Sequence, residues 1–420
     1  MKIKFKLPAL RGVPITSELL FFISYTVYLF FLLLRSSFFY RVFSGPKYQL
    51  INLCCIAVLG VAIVFRRKFS LKDLVLLGIT LLFSFVMFLR MGLRYELMPF
   101  IPLLFVSKDI KFEKVARVTT VISITVLAVV ILSAYAGILP NYVTTTVTDG
   151  HFRVRHFLGF RYSLYPAGIL FNTISVDLYA KRNKLSWQRC AVWAAAALWM
   201  FRQTNSRLSF FFSIAVIGGC YVVTRFPRLL DRLRLVRWGM VSSFVLCAAA
   251  SLLLTLRYKK SIVWMAKLNH ILEERLRLGN DAFRNYGIKL FGRDIAFIGN
   301  GLTGDGKQTF GIYNYVDCFY ESILLKYGIL FFAATLIGYT LVAYIAMKKK
   351  NYILLGMMTL LAMHGMIDDM VFYLSYNTMW FTIFSFIISP DQERDMLLVF
   401  KKIIRKPRRR TRDLFALQDR

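Results

Sequence analysis

The side chains with chemistry to offer gather in three stretches. Arg153, Arg155, His156 and Arg161 stand together at the mouth of a hydrophobic run that begins near Phe157, and Arg207 closes the polar connection Gln203-Thr204-Asn205-Ser206-Arg207. A polar segment, 257–316, adds Arg275, Arg277, Arg284 and Arg293. Guanidinium groups bind phosphate oxygens in pairs of N–H bonds and stay charged at any working pH. Their excess at one membrane mouth points to a ligand with phosphate at headgroup level. The plainer reading is contact with lipid headgroups, or pairing with Glu273, Glu274, Asp281 and Asp294. Arg161 and Arg207 weigh toward function, because an arginine at or inside a membrane span is costly.

Acidic residues are fewer. Asp317 and Glu321 are four apart, which predicts one shared face of the helix entering the membrane. Asp368 and Asp369 fall in a short turn near His364 and Asn377. A carboxylate or histidine at such a mouth can take a proton from an attacking hydroxyl. The structural alternative for Asp317 is a helix-start carboxylate favoured by the dipole. Asp177, near the other end of its span, reads as structural.

Other chemistries are disfavoured. Gly301-Leu-Thr-Gly-Asp-Gly306-Lys307-Gln308 fits most of a phosphate-binding loop, but Gln308 replaces the Ser/Thr and no strand precedes it. The four histidines are dispersed, and the six cysteines lie mostly in apolar runs without a CxxC or Cys/His cluster. Neither a metal site, a disulfide nor a cofactor is expected.

The elements that must position these residues are membrane helices. The 420-residue chain is 57% hydrophobic, 16% aromatic and only 18% charged, with a mean hydropathy of +0.56. Those values and the recurring long apolar runs predict an all-α polytopic membrane protein. Spans are expected near 14–34, 48–65, 73–89, 97–107, 116–138, 157–180, 187–201, 207–224, 238–256, 317–347, 352–369 and 371–389, about twelve helices in all. The first apolar run is too long for a cleaved signal and reads as a signal anchor. The net charge of +33 is spread in short clusters between spans, which is a topology and lipid signature and argues against nucleic acid. The basic clusters fall on alternate connections, from Lys2, Lys4 and Lys6 to the tail with Arg408–Arg410. Positive-inside then places both termini in the cytoplasm and puts Leu139–His156 and 257–316 outside.

The organisation that follows is 1–256 as spanning helices, 257–316 as one large extracytoplasmic loop, 317–389 as further spans and 390–420 as a basic cytoplasmic tail. Within the loop, the apolar stripe Ile262, Met265, Leu268, Leu272 and Leu276 predicts a helix over Ser261–Leu278 that stops at Gly279. A second short helix over Asp281–Leu290 and an irregular Gly299–Gly306 complete it. No internal repeat is visible, which weakens a transporter of inverted halves.

Several short stretches carry a resemblance to a known family. They are Arg155-His156-Phe157-Leu158-Gly159-Phe160, Thr204-Asn205-Ser206-Arg207, Arg275-Leu276-Arg277-Leu278-Gly279 and Tyr286-Gly287-Ile288-Lys289-Leu290-Phe291-Gly292. Gly299-Asn300-Gly301, Val316-Asp317, Tyr327-Gly328-Ile329 and His364-Gly365-Met366-Ile367-Asp368 with Tyr376-Asn377 continue the pattern. The chain resembles the Wzy-type polysaccharide polymerases of the O-antigen ligase and polymerase superfamily. It departs from the family at Cys318, where Asn is frequent, and at Asp368, where Glu is common.

The resemblance implies a GT-C-like fold in the cytoplasmic membrane and a metal-independent glycosyltransferase at its outer face. Its substrate would be a saccharide linked to undecaprenyl diphosphate. Membrane lipids, a flippase and a chain-length regulator would be its other partners. It implies Arg155, Arg161, Arg207, Arg275, Arg277 and Arg284 as diphosphate and saccharide contacts. Asp317, His156, His270 and Asp368 would act as general base or orient the acceptor. Replacing Arg207 or Arg277 with Ala is then expected to abolish polymer. A ligase moving finished glycan to another acceptor would use the same residues, and a lipid-linked oligosaccharide flippase or a non-enzymatic scaffold are the remaining alternatives.

Overall fold

The computed structural model describes residues 9–10, 13–14, 16–65, 71–91, 99–148 and 151–387. The basic tail 390–420 and the N-terminal lysines lie outside the described residues. In chain order the elements are β1 (Ala9–Leu10), β2 (Val13–Pro14), α1 (Ser17–Arg35), α2 (Tyr40–Phe43), α3 (Pro46–Val64), α4 (Leu71–Met91), α5 (Phe100–Val106) and α6 (Phe112–Tyr135). A hairpin follows, β3 (Val143–Thr148) and β4 (His151–His156), then α7 (Leu164–Ala180), α8 (Trp187–Thr204), α9 (Arg207–Arg225), α10 (Leu229–Arg232), α11 (Arg234–Val241) and α12 (Ser243–Leu256). The last elements are α13 (Val263–Ile271), α14 (Arg275–Tyr286), α15 (Phe319–Lys348), α16 (Tyr352–His364) and α17 (Trp380–Ile387).

The protein is a mostly helical membrane protein. Where lipid replaces water, backbone groups must be satisfied within each segment, and the apolar runs meet that demand as helices. α1, α3, α6, α9 and α15 are long and apolar enough to cross a membrane, and α11 with α12 adds one more if that pair, bent by 61°, is one span. Start signals are local. Thr16 accepts from Leu19 N at 3.2 Å, Ser186 from Arg189 N at 3.3 Å and Asn351 from Leu354 N at 3.3 Å.

Several expected spans differ in form. Among the described residues of 97–107 the helix is the seven-residue α5, about 10 Å long and too short to cross. The span expected at 352–369 is the thirteen-residue α16, and the described part of 371–389 holds α17, Trp380–Ile387, after a turn of 3-10 helix at Asp369–Phe372. The all-α expectation also omitted the β3–β4 hairpin, whose alternating His-Phe-Arg-Val-Arg-His pattern is that of a strand.

The core between the helices is aromatic. Phe381 meets Phe21 and Tyr25 edge-on at 5.9 and 5.1 Å, and Tyr339 lies between Phe244 at 4.5 Å and Trp380 at 5.0 Å. Buried polar groups are paired across elements. Asn172 of α7 donates to Thr378 Oγ1 at 2.9 Å and accepts from Thr378 N at 3.0 Å. Asn377 donates to Tyr339 Oη at 3.0 Å and to the Val371 carbonyl at 2.8 Å. Together they lock the irregular 365–379 turn that presents Asp368 and Asp369. Asp177 accepts from Trp193 at 2.7 Å and pairs with Arg189 at 3.2 Å, a structural role.

Candidate functional site

The large polar segment does not form the single helix expected over Ser261–Leu278. Glu273 and Glu274 both take left-handed backbone angles, φ 51° and 67°, and split it into α13 and α14. Asn269, buried at the end of α13, holds the break by accepting from Arg277 N at 3.0 Å. Gly279 is no stop either, because it sits inside α14 against α15. A Cβ there would come within 2.3 Å of Glu321 Oε2 and 2.7 Å of Thr255.

That break sets which arginine faces the centre. Arg275, the first residue of α14, brings Nε to 3.7 Å from Asp317 Oδ2. Arg277 turns away and pairs with Glu274 at 2.9 Å and Asp281 at 3.3 Å along its own helix. Arg284 and His270 are exposed on α14 and α13.

Asp317 lies in extended chain just ahead of α15, not on the helix. Glu321 therefore does not share its face: its carboxylate accepts from Thr255 in the helical interior. Asp317 Oδ2 accepts from Tyr313 Oη at 3.2 Å. Its side chain keeps 29% of its surface open, in a crevice otherwise walled by protein. Burial pushes the carboxyl up to about 6; Arg275 opposes the shift and the neighbouring Asp368 charge adds to it. Burial and the Asp317 charge also raise the phenol of Tyr162, with Arg155 opposing.

Two more carboxylates stand beside Asp317. Asp368 accepts from Met370 N at 2.8 Å and sits 3.2 Å from His364 Nε2. Asp369 accepts from Tyr315 Oη at 2.8 Å. Burial raises its carboxyl, while Lys326 pulls it down. The Lys326 ammonium lies over the Phe297 ring at 4.5 Å, two residues before α15 breaks at Gly328. At that break, φ 84° and the backbone of Gly292 leave no room for a Cβ, which would fall 2.3 Å from Gly292 N.

Arg161 lies over the Tyr40 ring at 5.4 Å, and its charge and that of Asp368 both act on Tyr376. Tyr162, Tyr165 and Tyr376 form a ladder of rings 5.5 and 5.8 Å apart along this wall. The Nε atoms of Arg155, Arg161 and Arg275 are shielded from solvent but make no hydrogen bond to a described residue. Arg153 instead bonds Asn205 through the carbonyl at 3.3 Å and the side chain at 3.4 Å, and pairs with Glu273 at 3.2 Å.

Of the residues singled out from the sequence, Arg155, Arg161, Arg275, Asp317 and Asp368 converge. His156 falls on the face of β4 opposite Arg155 and makes no hydrogen bond to a described side chain. Arg207 is exposed at the start of α9, and its charge acts on Arg153. Tyr162, Tyr315 and Lys326 were not anticipated. The alternation Tyr313-Asn314-Tyr315-Val316-Asp317 was the available sign of extended chain carrying aromatic and acidic groups together. The Gly301–Gln308 stretch is a turn, closed by Thr303 bonding Lys307 N at 3.2 Å and packed by Gly306 onto Tyr142. Gly306 serves that close approach.

The assembled groups can bind an anion through the three guanidiniums and accept a proton at Asp317 near neutral pH. Among the described residues no set of three His, Cys, Asp or Glu side chains converges to hold a metal ion. Compared with known protein families, curated proteins and solved structures, the chain has no match.

Proposed function

We propose that this protein is a membrane glycosyltransferase that extends a polysaccharide from saccharide units linked to undecaprenyl diphosphate. In this reading the crevice opens on the outer face of the cytoplasmic membrane, both termini are cytoplasmic, and 257–316 covers the bound saccharide. The observation that carries it is Asp317, raised to about 6 and flanked by Arg275, beside guanidinium groups with unused donors.

An acceptor hydroxyl on the incoming unit attacks the anomeric carbon of the growing chain. The bond from that carbon to the diphosphate oxygen breaks, and the diphosphate leaves with the electron pair. Asp317 takes the hydroxyl proton, a task suited to a base whose pKa lies near the working pH. Arg155, Arg161 and Arg275 meet the charge that develops on the departing diphosphate, where fixed cations in a sheltered site are most effective. Tyr162, Tyr165 and Tyr313 offer ring faces and hydroxyls to sugar.

The test is the surface glycan of a strain lacking the gene, complemented with variants. Wild type should restore long chains, and Asp317→Asn should leave single-unit glycan at normal membrane protein level. Full-length polymer from Asp317→Ala would overturn the assignment of the base. Lipid-linked polymer accumulating in the gene deletion would point to a ligase instead.

A further inference from the structure

The β3–β4 hairpin has two unlike faces. Side chains alternate along a strand, and residues paired across strands share a face. Arg153 and Arg155 therefore lie on one face of β4, while Phe152, Val154 and His156 lie on the other, with Thr145 and Val143 paired opposite Val154 and His156. The arginine face is tied inward: Arg153 holds Asn205 and Glu273, and Arg155 acts on Tyr162. The other face is left open, with Phe152 77%, Val143 50% and Val154 44% exposed.

The helices next to the hairpin expose apolar side chains as well. β4 packs against α8, which exposes Leu198 and Trp199 near its end. The residue gripped by Arg153, Asn205, leads directly into α9, an apolar helix long enough to cross a membrane that exposes Phe211 one turn in. The hairpin is thus fixed to the end of two helices whose outer sides are apolar. An open patch of this kind beside membrane helices marks a lipid contact.

We infer that the hairpin is a lipid-contacting wedge: Phe152, Val154 and Val143 rest at the boundary between acyl chains and headgroups. Its opposite face carries Arg155 toward the polar crevice, with Arg153 as the anchor on Asn205 and Glu273. The occupant of the open face is the bilayer, and the two-faced strand holds the crevice at headgroup depth. This holds whatever reaction the crevice performs.

The experiment uses Phe152→Trp and, separately, Val154→Trp in the full-length protein reconstituted into phospholipid vesicles, reading emission in excess of wild type. Both positions are open enough to accept the larger ring without disturbing the Arg153 anchor. In vesicles with brominated acyl chains, the added emission at either position should lose roughly half or more of its intensity and be little affected by aqueous acrylamide. Quenching by acrylamide but not by bromine would show a water-facing hairpin and overturn the inference. Protection from both quenchers would mean that protein covers the face, and would overturn it equally.

Discussion

Replacing Arg275 with Gln removes the positive charge nearest Asp317 while keeping a hydrogen-bonding side chain of similar reach. In the native protein the two groups are 3.7 Å apart. At that distance their attraction is worth about 1 kcal/mol with the screening of bulk water and about 4 kcal/mol at an effective dielectric near 20. Side-chain exposures of 23% and 29% put the pair toward the screened end, so its loss should raise the carboxyl by about one pH unit or somewhat more. Asp317 already stands at about 6, and a general base must be ionised to act. The acid limb of the rate profile should therefore move from near 6 to about 7 or above. The assay is extension of lipid-linked oligosaccharide in membrane vesicles, measured from about pH 5 to about pH 9 and normalised to the high-pH plateau. Normalisation separates the lost charge from any lost substrate contact, which lowers the plateau without moving the limb. An acid limb that stays in place or moves down would refute the pairing of Arg275 with Asp317 as the control on the base.

Arg277→Ala should cost less than a factor of a few in rate, because Arg277 is 46% exposed and bonded along its own helix, whereas Arg275→Ala should remove most activity; comparison of initial rates decides it. Asp317→Asn should stabilise the protein at pH 8 and not at pH 4, read as the thermal midpoint in detergent. A carboxyl raised from 3.8 to about 6 on folding contributes nothing adverse below its unfolded value. Its ionisation costs about 3 kcal/mol once pH exceeds the folded one. A pH-independent effect would argue against the shift. Gly279→Ala should destabilise by about 1–3 kcal/mol through its overlap with Glu321 and Thr255, seen as loss of monodisperse protein on size exclusion. Gly328→Ala should be worse, since it meets backbone as well as an unfavourable φ.

The helical membrane class was legible from apolar content and run length alone, because lipid leaves the backbone few other choices. The site was legible only as a collection of residue types. Arg275 and Arg277 are indistinguishable in a list of loop arginines; their fates separate because Glu273 and Glu274 leave the helical region and restart the helix at Arg275. Two acidic residues in left-handed geometry carry no strong propensity signal, so the phase of α14 could not be read in advance. The same holds for Asp317. Spacing four from Glu321 suggests a shared helix face, but the helix begins only at Phe319. The two carboxylates then enter different surroundings, one in a crevice with Tyr313 and Arg275, the other sealed against Thr255.

Chain direction at the ends of helices thus decides the chemistry more than helix content does. Asp317 precedes α15, Arg275 opens α14, Asp368 follows α16, and Arg161 leads into α7. Each lies at or just beyond a helix end, where side chains leave the apolar layer and can meet. A charged group further into a helix needs a partner within the bundle, and already in the first turn of α15 Glu321 relies on Thr255. Moving any one of these ends by a single residue rotates its side chain by about 100° on a helix. Inserting one alanine after Arg275 should therefore turn Arg275 away from Asp317 while leaving the rest of α14 packed at Gly279 and Asn280. Its acid limb should then match that of Arg275→Gln, and an unshifted limb would show that the cation reaches Asp317 from elsewhere.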